Sequence, residues 1–221
     1  MKAMILAAGF GERMRPLTET TPKPLLKVAD KPLIDYHLEK LAAAGFSEVV
    51  VNSAWLSAQI VDYLGDGARY GLRLHHSVED EPLETAGGIV RALPLLGDEP
   101  FLLVNGDVWT DMDFTALRAA RPDAAELVMV ANPPHHPAGD FALGADGLLR
   151  ERGEPRFTFA GVSVWQPRCF AGLAPGRRPL KPLMQALMAD SRLQGRLHHG
   201  QWWDIGTPQR LAALDAELRS A

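Results

Sequence analysis

The sequence is short of several features that would each settle a class on its own. It has one cysteine, Cys169, in 221 residues, so no disulfide can form within the chain, and a reducing, cytoplasmic setting is the expectation. No apolar run approaches the roughly 20 residues that a membrane span needs, so no membrane partner is expected. Met1–Ala8 passes directly into a glycine-rich loop, without the ordered charged, apolar and cleavage regions of a secretory signal. Neither sign of charge dominates: 23 Lys+Arg against 27 Asp+Glu leave a formal charge of −4. A dedicated nucleic-acid binder would carry a basic excess, so nucleic acid is not an expected partner either. Aromatic residues are scarce at 7%, yet apolar residues reach 47%, too many for a disordered chain and enough for a core. No Ser- or Pro-rich linker divides the chain, so one domain over 1–221 is expected.

What is present is an alternation of short apolar strands and amphipathic helices. Lys2–Ala8, Glu48–Asn52, Leu72–Ser77, Phe101–Val104 and Glu126–Ala131 read as buried strands. Between them, Pro32–Ala44, Leu56–Leu64, Ala86–Leu96 and Phe114–Ala120 carry apolar residues at three- and four-residue spacing and read as helices. Such alternation means βαβ units and a Rossmann-like, mainly parallel sheet covered by helices on both faces. After about residue 131 the pattern changes. Phe141–Leu143, Leu148–Glu151 and Phe157–Trp165 are short runs with turns between them, which predicts a small inserted β lobe. A helix at Leu180–Ala189, a strand at Arg196–His199 and a helix at Pro208–Arg219 complete the expectation.

The loop after the first strand carries the strongest chemical signal. In an open parallel sheet, ligands bind beyond the carboxyl ends of the strands, where glycines let backbone N–H groups approach phosphates. Gly9-x-Gly11 fits that use, but two common forms fail. A dinucleotide fold wants a third glycine where Met14 stands and an acidic residue where the second strand ends in Asn52. An NTPase loop wants Gly-Lys-Ser/Thr, which the loop lacks. What remains is a Gly-rich turn with Arg13, followed by Lys23 held between Pro22 and Pro24. Arginine suits forked phosphate contacts, and a lysine on a proline-fixed backbone supplies a presented point charge. Asp107 ends the fourth strand, where a hard oxygen ligand for a cation would sit. Asp111 and Asp113 read as local caps of the next helix. The seven histidines show no ligand spacing, Trp165 reads as core, and Cys169 reads as a passive thiol.

At these residues the chain resembles the sugar-1-phosphate nucleotidylyltransferases. LAAGFGERMRPLTETTPKPLL at 6–26 is similar to that family's LAAGxGxRhxPLT…PKPhh signature. The resemblance continues through VVVN at 49–52, LETAGG at 83–88, NGD at 105–107, AGVSV at 160–164 and WWDIGTP at 202–208. It implies the nucleotide-diphospho-sugar transferase fold, with a nucleotide-binding half over about 1–131 and a sugar-binding half over about 132–221. It implies two small-molecule substrates, a nucleoside triphosphate and a sugar 1-phosphate. By the same resemblance Ala8, Gly9, Gly11, Thr85, Gly87 and Gly88 line the nucleotide, Arg13 meets its β/γ phosphates and Lys23 its α-phosphate. Asn105, Gly139, Glu151 and Arg152 fall on the sugar-phosphate side, and Asp107 and Asp204 hold Mg²⁺. Arg13, Lys23 and Asp107 are the expected catalytic set.

One departure matters. Many relatives carry Glu-Lys-Pro where this chain has Glu151-Arg152-Gly153, so the usual lysine on the sugar phosphate is missing, and Arg152 or Lys181 is the expected stand-in. Length and LETAGG resemble the branch that transfers a uridylyl group to N-acetylmuramate α-1-phosphate in peptidoglycan recycling. In that case Arg150, Arg152 or Arg156 is expected to receive the substrate's lactyl carboxylate. Mannose-1-phosphate guanylyl transfer, glucose-1-phosphate nucleotidylyl transfer and a non-catalytic regulatory role of the same fold stay open at this point. No feature of the sequence sets the oligomeric state.

Overall fold

A computed structural model describes residues 1–220. In chain order the elements are β1 (Lys2–Leu6), α1 (Leu17–Thr20), β2 (Lys27–Val28), β3 (Lys31–Pro32), α2 (Leu33–Ala43), β4 (Glu48–Ser53), α3 (Ser57–Leu64) and β5 (Arg73–Val78). They continue with α4 (Glu84–Leu96), β6 (Phe101–Asn105), β7 (Val108–Thr110), α5 (Thr115–Ala119), β8 (Ala125–Val130), β9 (Phe141–Leu143) and β10 (Leu149–Arg150). The last are β11 (Arg156–Trp165), α6 (Lys181–Ala189), β12 (Leu193–Leu197), β13 (Trp202–Asp204) and α7 (Pro208–Ser220).

Nine strands form one mixed sheet whose path runs β10-β9-β11-β6-β1-β4-β5, with β8 and β12 branching from β11. β6, β1, β4 and β5 are mutually parallel, as the βαβ pattern predicts. β11 enters antiparallel to β6 and β8. Period-two alternation sends residues of each central strand to opposite faces. Ile5, Val49, Val51, Leu102 and Val104 pack with Ile34, Leu38 and Leu41 of α2. Met4, Val50, Phe101 and Leu103 pack on the other face with Ile89, Ala92 and Leu96 of α4 and with Trp165 and Met184. Both faces are therefore helix-covered, and each fully buried Leu, Ile or Val contributes roughly 1.5–3 kcal/mol.

The later half joins this sheet more fully than its hairpin-like sequence predicts. Only β9, β10 and the start of β11 form the small lobe, because β11 changes partners midway. Its register slips between Phe159 and Ser163, where Gly161 adopts φ +72. A Cβ there would meet the Asn105 side chain at 2.8 Å, so only glycine lets the strand bend against β6. The strand expected at Arg196–His199 lies earlier, as β12, because it pairs in parallel with β8. No helix among the described residues is long and apolar enough to cross a membrane.

A third apolar cluster, Met14, Leu26, Val28, Leu33, Trp109, Ile205 and Leu214, lies under the glycine-rich loop. It ties that loop to α7 and to a two-stranded ribbon of β7 and β13, in which Asp204 pairs with Val108. This ribbon joins the segment that follows β6 to the segment that precedes α7.

Candidate active site

The chain leaves β1 after Leu6 because the Ala7 N–H turns to Asn52 Oδ1 at 2.9 Å. Asn52 Nδ2 donates to Glu79 Oε1 at 2.7 Å, and Glu79 Oε2 accepts from the Leu83 N–H at 2.9 Å. Asn52 and Glu79 are each 2% exposed, so this buried network fixes the loop, β4 and the start of α4 to one another. Further along, Gly11 takes φ +65, and a Cβ there would meet Thr18 Cγ2 at 2.8 Å. The Thr18 hydroxyl donates to the Gly11 carbonyl at 2.8 Å. A short 3₁₀ turn at Glu12–Met14 then buries Met14 and leaves Arg13 on the open side. A second such turn begins at Lys23, entered from Pro22 at φ −63.

These turns border a cavity of about 750 Å³ walled by Ala8, Gly9, Gly11, Arg13, Lys23 and Thr85, with Asn105 and Asp107 at its far side. A second cavity of about 770 Å³ shares Arg13, Asn105 and Asp107 and adds Asp204, Arg210, His135 and Asp140. The shared residues mark the junction at which ligands in the two cavities would meet.

Charges at the junction are paired. Lys23 Nζ lies 2.7 Å from Asp107 Oδ2. Arg210 Nη1 lies 3.0 Å from Asp204 Oδ2, and His135 Nε2 lies 3.5 Å from the same oxygen. The Ile205 N–H donates to the Asp107 carbonyl at 2.8 Å, which ties the turn carrying Asp107 to the strand end carrying Asp204. Both carboxylates are partly exposed and face the second cavity. Among the described residues no group of three His, Cys, Asp or Glu side chains could hold a metal. Two carboxylates still fit a magnesium ion, which takes hard oxygens and commonly completes its shell with substrate phosphates and water.

Other expected site residues lie elsewhere. Gly87 is a close-packing position: its N–H donates to the Arg178 carbonyl at 3.2 Å, and a Cβ would fall 2.3 Å from the Gly176 oxygen. Gly88 makes room for the buried network, since a Cβ there would sit 2.8 Å from both Asn52 Nδ2 and Glu79 Oε1. Gly139, at φ +61, shapes the turn before Asp140 and packs against Asn132. Glu151 and Arg152 occupy an exposed turn outside both cavities, where Gln185 donates to the Glu151 carboxylate.

The arginines expected to meet a substrate carboxylate are mostly committed. Arg150 donates from both terminal nitrogens to Asp146, at 3.0 and 2.6 Å, and holds that carboxyl down to about 2. Arg156 donates to the carbonyls of Ala138, Glu151 and Asp140 at 3.0, 2.7 and 2.7 Å. Asp113 does cap its neighbour, accepting from the Thr115 N–H at 2.8 Å, whereas Asp111 instead meets His198 Nε2 at 2.9 Å. Trp165 is fully buried, and burial pushes the Cys169 thiol up, as a passive role requires.

Sequence reasoning missed Arg210, His135, Asp140 and the Asn52–Glu79 pair. For Asn52 a signal existed: a polar residue ending an otherwise apolar strand needs a partner. Arg210 had only its distance of six residues from Asp204 to offer.

The nucleotidyl transferase family model matches residues 2–143, and the chain belongs to that family. At 52% identity over 98% of this chain and 97% of the relative, it is similar to the N-acetylmuramate alpha-1-phosphate uridylyltransferase of Neisseria meningitidis. It is 37% identical to the protein of the same description from Caulobacter vibrioides, over 99% of this chain and 97% of that one. A mannose-1-phosphate guanylyltransferase of Mycobacterium tuberculosis is 30% identical, and this chain spans 64% of its length. Among solved structures, one from Bacillus anthracis described as a glucose-1-phosphate thymidylyltransferase superposes with a TM-score of 0.87 at 21% identity, covering 100% of this chain and 96% of that one. That last likeness concerns the fold.

Proposed function

We propose that this chain transfers the uridylyl group of UTP to N-acetylmuramate α-1-phosphate, giving UDP-N-acetylmuramate and pyrophosphate. The observation that carries the reading is the 52% identity over nearly the whole of both chains to a uridylyltransferase of that description. The cavity walls agree with it: two spaces suited to two anionic substrates meet at Arg13, Asn105 and Asp107.

In the reaction, an oxygen of the sugar phosphate attacks the α-phosphorus of UTP. A new P–O bond forms, and the bond from the α-phosphorus to the bridging oxygen breaks, its electron pair leaving with pyrophosphate. The nucleophile is already ionised near pH 7, so no strong general base is needed. The task is to bring anions together in line and to neutralise developing charge. The Ala8–Gly11 backbone and Thr85 receive the nucleotide, with Arg13 on its β/γ phosphates. Lys23 neutralises the α-phosphate, aided by proline-fixed geometry. Asn105 borders the sugar, and Gly87 and Gly88 support the nucleotide wall from behind. Asp107 and Asp204 are the residues that would hold magnesium, which supplies charge neutralisation at the phosphates when bound. We place the enzyme in the cytoplasm, in peptidoglycan recycling, with small molecules as its partners.

The test is pyrophosphate release across UTP, GTP, dTTP and CTP against the 1-phosphates of N-acetylmuramate, N-acetylglucosamine, glucose and mannose. Release with UTP and N-acetylmuramate 1-phosphate, abolished by a chelator, is the expected result. Release with GTP and mannose 1-phosphate would overturn the substrate assignment. Silence throughout would favour a non-catalytic role.

A further inference from the structure

Arg210 occupies the first turn of α7, and its guanidinium lines the second cavity. Asp204 engages Nη1 at 3.0 Å, while Nε is buried without a hydrogen-bond partner. A buried donor normally has an acceptor, so this orphan calls for one supplied from outside the chain. The residue beneath it is adapted to the side chain. A Cβ on Gly206 would fall 2.1 Å from Arg210 Nη2, so glycine keeps the space that the fork uses.

The charge balance of the cavity points the same way. Its walls carry three carboxylates, Asp107, Asp140 and Asp204, and a doubly charged phosphate entering there needs permanent cations. Among the described wall residues only Arg13 and Arg210 are permanently charged cations, and Arg13 is shared with the nucleotide cavity. The alternatives in the second half are spent or remote: Arg150 on Asp146, Arg156 on carbonyls, Arg152 and Lys181 exposed outside the cavity.

The geometry points to Arg210 as the residue that binds the phosphate of the sugar 1-phosphate, taking the place of the lysine missing at Arg152. Asp204 orients the fork by one terminal nitrogen, and the guanidinium on the cavity wall supplies the permanent, fork-shaped charge that suits a phosphate. Phosphate is favoured over the sugar's carboxylate because Arg210 adjoins Asp204, whose strand partner Val108 directly follows Asp107, the residue that meets Lys23 at the junction where phosphates must approach. The inference rests on the function proposed above.

The experiment compares wild type with Arg210→Gln and Arg210→Lys. Calorimetric binding of N-acetylmuramate 1-phosphate, N-acetylglucosamine 1-phosphate, free N-acetylmuramate and UTP is measured with each protein, alongside KM and kcat. Arg210→Gln is expected to weaken both 1-phosphates roughly ten- to hundredfold, the loss of a charge-assisted contact. UTP affinity should stay within about twofold, and Arg210→Lys should recover part of the loss. Unchanged 1-phosphate binding in Arg210→Gln would overturn the assignment. So would a loss confined to the N-acetylmuramate compounds, which would make the carboxylate the ligand, or an equal loss of UTP affinity, which would mean a structural role. If wild type bound a sugar 1-phosphate but turned none over, the proposed function would fail while binding still decided the role of Arg210.

Discussion

Lys23 Nζ meets Asp107 Oδ2 at 2.7 Å, although the two residues stand 84 positions apart. The contact joins the proline-framed turn of the first loop to the end of β6, and it sits where the two cavities adjoin. Arg210 and Asp204 repeat the arrangement on the other side. Each carboxylate suited to a cation is thus held by a cation of the chain itself, so the charge that phosphates require is already gathered at the junction.

Lys23→Ala should lower kcat about 10²–10³-fold, the usual cost of removing one group aimed at developing charge. Its thermal midpoint should fall by no more than about 4 °C, because partly exposed ion pairs contribute only about 0–1 kcal/mol. Steady-state kinetics and a melting curve on the same sample check both. A variant that loses activity only by unfolding would contradict the assignment.

Asn52→Asp keeps the acceptor for Ala7 but sets a carboxylate against Glu79 in a buried place. We expect a loss of roughly 2–3 kcal/mol in urea unfolding and a raised KM for the nucleotide, since the loop anchor loosens. Gly88→Ala should act in the same direction, by pushing on Asn52 and Glu79. Unchanged stability in both would show that the network is dispensable.

His37 is buried in α2, and neither ring nitrogen reaches a hydrogen-bond partner. Burial lowers its pKa to about 4, against smaller opposing pulls from the Val108 backbone and the Asp107 charge. The unfolded chain therefore binds this proton first as pH falls below about 6.5, and stability on the order of 3 kcal/mol drains away towards pH 4. His37→Leu should flatten the stability–pH curve over that window without loss at pH 7. Unfolding midpoints at pH 7, 5.5 and 4.5 test it; parallel curves for variant and wild type would rule it out.

Arg150→Ala should leave sugar selectivity unaltered, because its guanidinium is occupied by Asp146 on an exposed turn. Arg156→Ala should instead lower stability by about 1–3 kcal/mol, since several carbonyls of the Ala138–Asp140 turn and Glu151 lose their donor. Selectivity ratios between N-acetylmuramate and N-acetylglucosamine 1-phosphates, with melting curves, separate the two outcomes.

The parallel half of the sheet was legible because Met4, Val50 and Leu103 alternate with neighbours that face the opposite helices. The first loop was legible because glycine, arginine and proline-framed lysine act locally. The partners of β11 were not, since its bend depends on Gly161 meeting Asn105, a contact 56 residues away in sequence. The β7–β13 ribbon was missed for a similar reason: three-residue strands carry no periodic signal, and their pairing is set by the apolar cluster beneath them. Gly87 and Gly88 were placed at the nucleotide by their resemblance to the family's base-reading turn, and the close approach of Gly176 to one and of Asn52 and Glu79 to the other had no signal in the sequence.

The most direct measurement is a competition in one vessel. UTP, GTP, dTTP and CTP at equal concentration are mixed with equal amounts of N-acetylmuramate, N-acetylglucosamine, glucose and mannose 1-phosphates, and the first nucleotide sugar formed is identified by mass. The account predicts UDP-N-acetylmuramate as the dominant product. GDP-mannose or dTDP-glucose as the dominant product would contradict it.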